Sequence, residues 1–248
     1  MKQILLTISL FVFSISLAQT DKNLWSATTK KASSEVLENK RTLNNPLLFT
    51  LDMVQLKQSL YNAPKRFSGS QQSNVIVSFP NNKGKTEHFS IQESSNMDPK
   101  LAAKFPEIKS YVGQGIDNPS ATIYFSISPL GLQSMMVYAD RSAVFIEPYT
   151  TDLSSYAVYR KADKSASLSQ FECKAIASVQ NELMNSGITA RPNADDAILR
   201  TYRLALSVTG EYTTYFGGTK ALALAAMNNS MTRVNGVFEM DFGVQRLI

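Results

Sequence analysis

The sequence has one cysteine, one histidine and no long run of charge. Because a single cysteine cannot pair within its own chain, an intramolecular disulfide is excluded. His88 is the only histidine, so any serine or cysteine hydrolase set would have to depend on that one residue. The 25 basic and 20 acidic residues nearly balance, and no basic run is longer than Lys30-Lys31. Nucleic-acid binding is therefore disfavoured, since it needs clustered positive charge.

Residues 1–18 have the pattern of a secretory signal peptide. Lys2 provides a positive start, and residues 4–17 form an apolar core interrupted only by serine and threonine. This core is short for a membrane span, although a membrane anchor is the alternative. No cysteine follows it, which excludes a lipobox. We expect cleavage near Ala18-Gln19 and an exported protein with no stable membrane anchor.

Residues 19–177 predict an α+β module built mostly from antiparallel strands. Alternation over residues 75–79 and 88–92, with turn residues at 81–84 between them, predicts a hairpin. Four further strands are predicted, at residues 121–128, 132–138, 143–147 and 156–159. Strands this short and this close in sequence favour antiparallel pairing.

Two helices are predicted within the module. Residues 46–61 predict an extended piece that enters a short helix, with Asp52 near the helical start. Residues 97–112 predict the second helix, with Asp98-Pro99 at the helical start. Pro106 lies inside the second helix, which favours two short helices there. Residues 113–118 predict a loop whose glycine spacing fits no nucleotide-binding motif.

Residues 178–198 are rich in Asn, Ser, Gly, Pro and Asp, which is typical of a linker exposed to cleavage. Residues 199–248 then predict a strand, a helix and a strand. Alternation over residues 200–209 predicts one buried face, formed by Tyr202, Leu204, Leu206 and Val208.

Thr219 is the predicted N-cap of a helix over residues 220–235, and Gly236 is the predicted stop. Its predicted apolar face consists of Leu224, Met227, Met231 and Val234. Alternation over residues 238–244 predicts a second strand, parallel to the first through a right-handed crossover. Because two strands and one helix cannot cover their own apolar faces, we expect the opening of a larger domain, truncated before its active site.

Several segments resemble a known family. The segments PEIKSYVGQGID at 106–117 and SATI at 120–123 resemble the propeptide of bacterial reprolysin-like zinc metallopeptidases. The segments RTYRLA at 200–205, TGEY at 209–212 and MTRVNGVFE at 231–239 resemble the start of their catalytic domain. The resemblance covers most of the chain that follows the signal peptide.

The resemblance implies a metzincin-type α/β catalytic domain, with zinc as cofactor and proteins or peptides as substrates. In that family the motif His-Glu-x-x-His-x-x-Gly-x-x-His supplies three zinc ligands and a general base. The motif does not occur within residues 1–248. We therefore expect residues 1–248 to be an inactive fragment of the precursor. The resemblance implies an enzyme family, but it leaves open whether this chain is itself an enzyme.

Cys173 is the candidate metal ligand. The resemblance implies that a propeptide thiolate can occupy the open position on zinc, and a lone cysteine before the catalytic domain fits that role. The surrounding residues, Phe171-Glu172-Cys173-Lys174, lack the motif of well-described switches. The alternative is a small buried thiol without chemistry.

Three other positions have weaker functional interpretations. His88 is expected to be a surface or core histidine, because Glu87 beside it on a strand points to the opposite face. Glu239 and Asp241 are predicted to share one solvated face of the last strand, and Glu211 to cap the turn that follows it.

Two functions remain in view. The first is a precursor of a secreted zinc endopeptidase, whose propeptide inhibits its own catalytic domain and helps it to fold. The second is an exported binding or adhesion module with no enzyme attached.

Overall fold

A computed structural model describes residues 23–28, 35–69, 73–163 and 198–248. The predicted signal peptide, Cys173 and all of the predicted linker except Ile198 lie outside the described residues, so these predictions stay untested. No helix among the described residues is long and apolar enough to cross a membrane.

The described residues before the linker form a nine-stranded antiparallel sheet, here called the sheet module. Its strands are β1 (Trp25–Ala27), β2 (Leu47–Leu51), β3 (Ile76–Pro80), β4 (Thr86–Glu93), β5 (Lys109–Gly115), β6 (Thr122–Ser128), β7 (Gly131–Val137), β8 (Ala143–Pro148) and β9 (Tyr156–Arg160). Strands β3 to β9 form a meander, and β2 joins its far edge beside β9, so the spatial order is β1-β2-β9-β8-β7-β6-β5-β4-β3. The predicted α+β class and the hairpin of β3 and β4 are confirmed.

The period of two along each strand gives the sheet an inner and an outer face. The inner face surrounds a core rich in aromatic residues, including Phe79, Phe89 and Phe125. Helix α1 (Met53–Leu60) adds Leu56 and Leu60 to this core. The helix starts where it was predicted to start, because the side chain of Asp52 accepts a hydrogen bond from the Gln55 N–H at 2.9 Å.

The predicted helix over residues 97–112 is shorter in the structure. Helix α2 (Pro99–Lys104) begins after its predicted cap, Asp98, but the residues from Lys109 onward form β5. The predicted loop at 113–118 is also wrong for Gly113–Gly115, which continue β5. Pairing with β4 and β6 satisfies this backbone, and Gly113 lies so close to the side chains of Ile91 and Ile123 that no Cβ fits there.

The residues after the linker form a strand, two helices and a strand. These are β10 (Arg200–Arg203), α3 (Gly210–Tyr215), α4 (Lys220–Phe242) and β11 (Val244–Leu247). β10 and β11 pair in parallel, as predicted. Thr219 caps α4 as predicted, since its hydroxyl accepts from the Leu222 N–H at 3.2 Å.

The predicted end of α4 is wrong. Gly236 lies inside the helix, which continues to Phe242 and ends at Gly243 in the left-handed conformation, with φ of 60°. The predicted strand over 238–244 is therefore helical up to Phe242. Sequence alternation alone did not distinguish the two glycines, because only Gly243 has a backbone conformation that ends a helix.

The strand predicted over 200–209 ends at Arg203 in the structure, and none of its four predicted inward residues is buried. Tyr202 is 54% and Leu206 is 42% exposed. In the described part of the chain, β10 pairs only with β11, and Leu206 lies beyond the end of β10. Helix α3 begins at Gly210, and Thr209 directly before it is the N-cap.

Candidate functional site at the interface between the sheet and helix α4

Helix α4 crosses the outer face of the sheet over β5, β6 and β7. Four of the helix positions that face the sheet module are polar, namely Asn228, Thr232, Asn235 and Glu239, and they lie beside the apolar contacts of Leu224 and Ala225. The four are spaced by four, three and four residues, which keeps them on one side of an α-helix. Asn228, Thr232 and Asn235 are buried. A helix usually places apolar residues against a sheet, so this stripe of buried polar residues is unusual.

Asn96 is the centre of a neutral hydrogen-bond network at this interface. Its Nδ2 donates to Thr232 Oγ1 at 2.8 Å and to Ser110 Oγ at 3.0 Å. Asn235 Nδ2 donates back to Asn96 Oδ1 at 2.9 Å. The network thus ties the segment before α2, strand β5 and helix α4 together, and all four of these side chains are buried. Buried polar groups need such partners to be tolerated.

A second neutral contact lies one strand further along. Ser126 Oγ on β6 donates to Asn229 Oδ1 on α4 at 2.5 Å. The Asn229 Nδ2 atom is buried and has no hydrogen-bond partner among the described residues.

A charged cluster holds the helix where it crosses towards β8. Glu147 on the outer face of β8 is 4% exposed, and it contacts the cations of Lys40 and Arg233. Tyr159 on β9 also donates to it, at 2.7 Å from Glu147 Oε2. Burial raises the pKa of Tyr159 to about 12, so the phenol keeps the proton that it donates. Burial lowers the pKa of the Arg233 guanidinium, which still remains a cation at neutral pH.

Two more ion pairs join the C-terminal half of α4 to the sheet module. Arg66 Nη1 lies 2.7 Å from Glu239 Oε2, and the Glu239 side chain is 7% exposed. Arg141 Nη1 lies 3.1 Å from Asp241 Oδ1 in a much more exposed pair. Glu239 and Asp241 are therefore helical residues that bind arginines of the sheet module, and their predicted place on one strand face is wrong.

Gly236 allows a close approach between α4 and the sheet. A Cβ on Gly236 would lie 2.8 Å from Cδ2 and 2.9 Å from Cγ of Tyr124. Real Cβ atoms do not come so near to a ring, so the position requires glycine for reasons of space. Burial raises the pKa of Tyr124 to about 12, consistent with a ring enclosed between β6 and α4.

The end of β11 contacts the same region of the module. Asn235 accepts from the Arg246 N–H at 2.9 Å and donates to the Arg246 carbonyl at 2.8 Å. The Ile248 N–H donates to the Asn96 carbonyl, and the Asp98 N–H donates to the Ile248 carbonyl, both at 2.8 Å. Asn235 on α4 therefore connects β11 to the network around Asn96.

The other residues singled out from the sequence lie away from this interface. His88 Nδ1 is 2.8 Å from Asp117 Oδ2, on a partly exposed part of the sheet module. Hydrogen bonds from the His88 backbone and side chain lower the pKa of Asp117. Glu211 lies in the first turn of α3, where hydrogen bonds to its own backbone and to Thr209 lower its pKa. Cys173 lies outside the described residues.

No group of three His, Cys, Asp or Glu side chains able to hold a metal ion occurs in the part of the chain that the structure describes. The described residues therefore do not supply the zinc site that the family resemblance implies, and no catalytic step follows from them. What they do build is a buried, largely polar contact between two parts of the chain.

The comparison with known families distinguishes the same two parts of the chain, the sheet module and the residues after the predicted linker. Residues 198–248 match the metallopeptidase family M12B, reprolysin-like. This segment is related to reprolysin-like peptidases. The match spans β10, α3, α4 and β11, which are called the reprolysin-like segment from here on. No curated protein and no solved structure matches the chain.

Proposed function

We propose that the chain is part of the precursor of a secreted zinc-dependent endopeptidase. In this proposal the reprolysin-like segment begins the peptidase domain, residues 19–177 are its propeptide, and residues 178–198 are the linker that is cut. The single observation that carries the proposal is the contact of α4 with the sheet module. The family match identifies one side of that contact, and the other side is a separately built antiparallel sheet.

The sheet module acts on the reprolysin-like segment by positioning it. β10 and β11 form only a two-stranded sheet among the described residues, and such a sheet is marginally stable alone. The network around Asn96 and the pairs of Arg233 and Glu239 fix α4 against a much larger folded surface. A propeptide with these contacts would order the start of the peptidase domain and delay its release.

Zinc would supply the chemistry of the complete enzyme, by polarising the scissile carbonyl and activating a water molecule. The zinc ligands would come from residues outside those that the structure describes. The role of Cys173 as a propeptide ligand of that zinc is part of the proposal, and so is export through the signal peptide at residues 1–18.

The test is the peptidase activity of the complete secreted gene product. We expect it to cleave a protein substrate, to lose that activity in a zinc chelator and to regain it when zinc is added back. Residues 19–248 alone are expected to be inactive under the same conditions. A gene product without chelator-sensitive cleavage would contradict the proposal and favour the exported binding module.

Cys173 is tested in the same complete product. Cys173→Ala is expected to give peptidase activity before the propeptide is cut, because the thiolate no longer occupies zinc. Ser169→Ala is a neighbouring control that removes no possible zinc ligand. Latency that is unchanged in Cys173→Ala would remove the cysteine from the mechanism while leaving the rest of the proposal intact.

A further inference from the structure

The two oxygens of Glu147 bind different parts of the molecule. Oε2 accepts from Lys40 and from the Tyr159 hydroxyl, which both belong to the sheet module. Oε1 accepts from Arg233, which belongs to α4. One buried carboxylate therefore has a cation from its own module and a second cation from the helix that is docked on that module.

The division of the two oxygens determines what happens to Glu147 when α4 leaves. Removing the single counter-ion of a buried charge normally leaves that charge unpaired. The free-energy cost of doing so keeps many buried ion pairs together. Here Lys40, which is itself only 7% exposed, and Tyr159 remain on Oε2. The carboxylate would keep a cation and a hydrogen-bond donor of its own module.

The helix side of the contact is also suited to separation. The Arg233 side chain is 30% exposed even when docked, and its buried Nε has no hydrogen-bond partner among the described residues. Separation would therefore give that atom a water partner. The remaining buried contacts of the Asn96 network are neutral amides and hydroxyls. Water satisfies such groups after separation, as it does at the polar interfaces between domains.

We infer that Glu147 is a shared anchor, with Oε2 held permanently by Lys40 and Tyr159 and Oε1 holding Arg233 reversibly. Helix α4 can then detach from the outer face as a unit while the sheet module stays folded. The inference rests on the proposed function in one respect, because this detachment is the physical step by which the propeptide would release the peptidase domain.

Amide hydrogen exchange of the mature chain, residues 19–248, tests the inference region by region. Arg233→Met is expected to speed exchange in α4 by about tenfold to a hundredfold, since a charge-assisted hydrogen bond is lost, with little change in β8 and β9. Arg141→Met removes the more exposed ion pair to the same helix and is the matched control, with an expected change of less than about threefold.

Two variants test the Lys40 side and the Arg233 side of the Glu147 anchor separately. Glu147→Gln leaves Lys40 buried without its anion, and it is expected to speed exchange in β8, β9 and α4 together. Adding Lys40→Met to Glu147→Gln removes that stranded cation. The double variant is expected to return β8 and β9 to near wild-type exchange, while α4 stays fast because Arg233 still has no anchor.

Two results would overturn the shared anchor. One is Arg233→Met speeding exchange in β8 and β9 as much as in α4, which would make the sheet and helix one cooperative unit. The other is Lys40→Met failing to restore β8 and β9 in the Glu147→Gln background. Neither result depends on peptidase activity, so the inference and the proposed function can fail separately.

Discussion

Replacing Asn96 with alanine is expected to lower the free energy of unfolding by about 3 kcal/mol, one of the largest effects of any single polar substitution in the chain. The change leaves Ser110, Thr232 and Asn235 without their common partner. Ser110 and Thr232 still bond to Asn228, and Asn235 still bonds to the Arg246 backbone. The expected loss is therefore that of three buried hydrogen bonds at about 1 kcal/mol each, partly recovered if water enters.

Urea unfolding of the mature chain measures this effect. Asn62→Ala is a matched control, because Asn62 lies on the surface after α1, and its substitution is expected to change stability by less than about 0.5 kcal/mol. An Asn96→Ala variant as stable as the control would mean that the network does not hold α4 on the sheet.

Gly236→Ala is expected to destabilise the chain by about 2 kcal/mol, and Gly236→Val by more, through overpacking against Tyr124. Alanine within a helix normally stabilises by about 1 kcal/mol relative to glycine, so a loss here would have the opposite sign from helix propensity. The clash involves Cγ, at the base of the Tyr124 ring, and the ring cannot yield without a shift of β6 or α4.

Gly210→Ala is the matched control for this prediction. A Cβ on Gly210 has no neighbour within 4 Å, so the variant is expected to be neutral or slightly stabilised. Tyr124→Ala combined with Gly236→Ala is expected to cost less than the two single losses together, because the ring that clashes is gone. A Gly236→Ala variant more stable than the parent would show that α4 does not approach β6 so closely.

Helix caps and local strand pairing could be predicted from the sequence. The helix caps at Asp52, Asp98 and Thr219 all accept a backbone N–H in the structure, because capping depends only on residues within one turn. The β3–β4 hairpin was predicted from a local turn. The parallel pairing of β10 was predicted from the order of strand, helix and strand, although β11 begins only at Val244, where the predicted strand ends.

Contacts between residues that are far apart in the sequence could not be predicted. The apolar positions Leu101, Phe105 and Ile108 have helical spacing, yet the chain leaves the helix after Lys104 because β4 and β6 pair with the residues that follow. Gly236 was read as a helix stop because the sequence does not show that Tyr124 lies against it.

The candidate site was missed for a related reason. The buried face of a helix is predicted from the spacing of its apolar residues. Of the apolar residues predicted for that face of α4, Leu224 and Met231 are indeed buried. The stripe of Asn228, Thr232 and Asn235 has the same helical spacing, and that spacing was the available signal. Its meaning depends on Asn96 and Ser110, which lie far away in sequence.

Charge reversal at Arg66 and Glu239 tests the docking of α4 on the sheet module most directly. The two side chains lie 2.7 Å apart, one on each side of the contact. Arg66→Glu and Glu239→Arg are each expected to speed amide exchange in α4 by at least about tenfold, because like charges then face each other at a partly buried site. Combining them is expected to restore most of the protection. If α4 exchanges at the same rate in both single variants and in the parent, the helix is not docked on this sheet in solution.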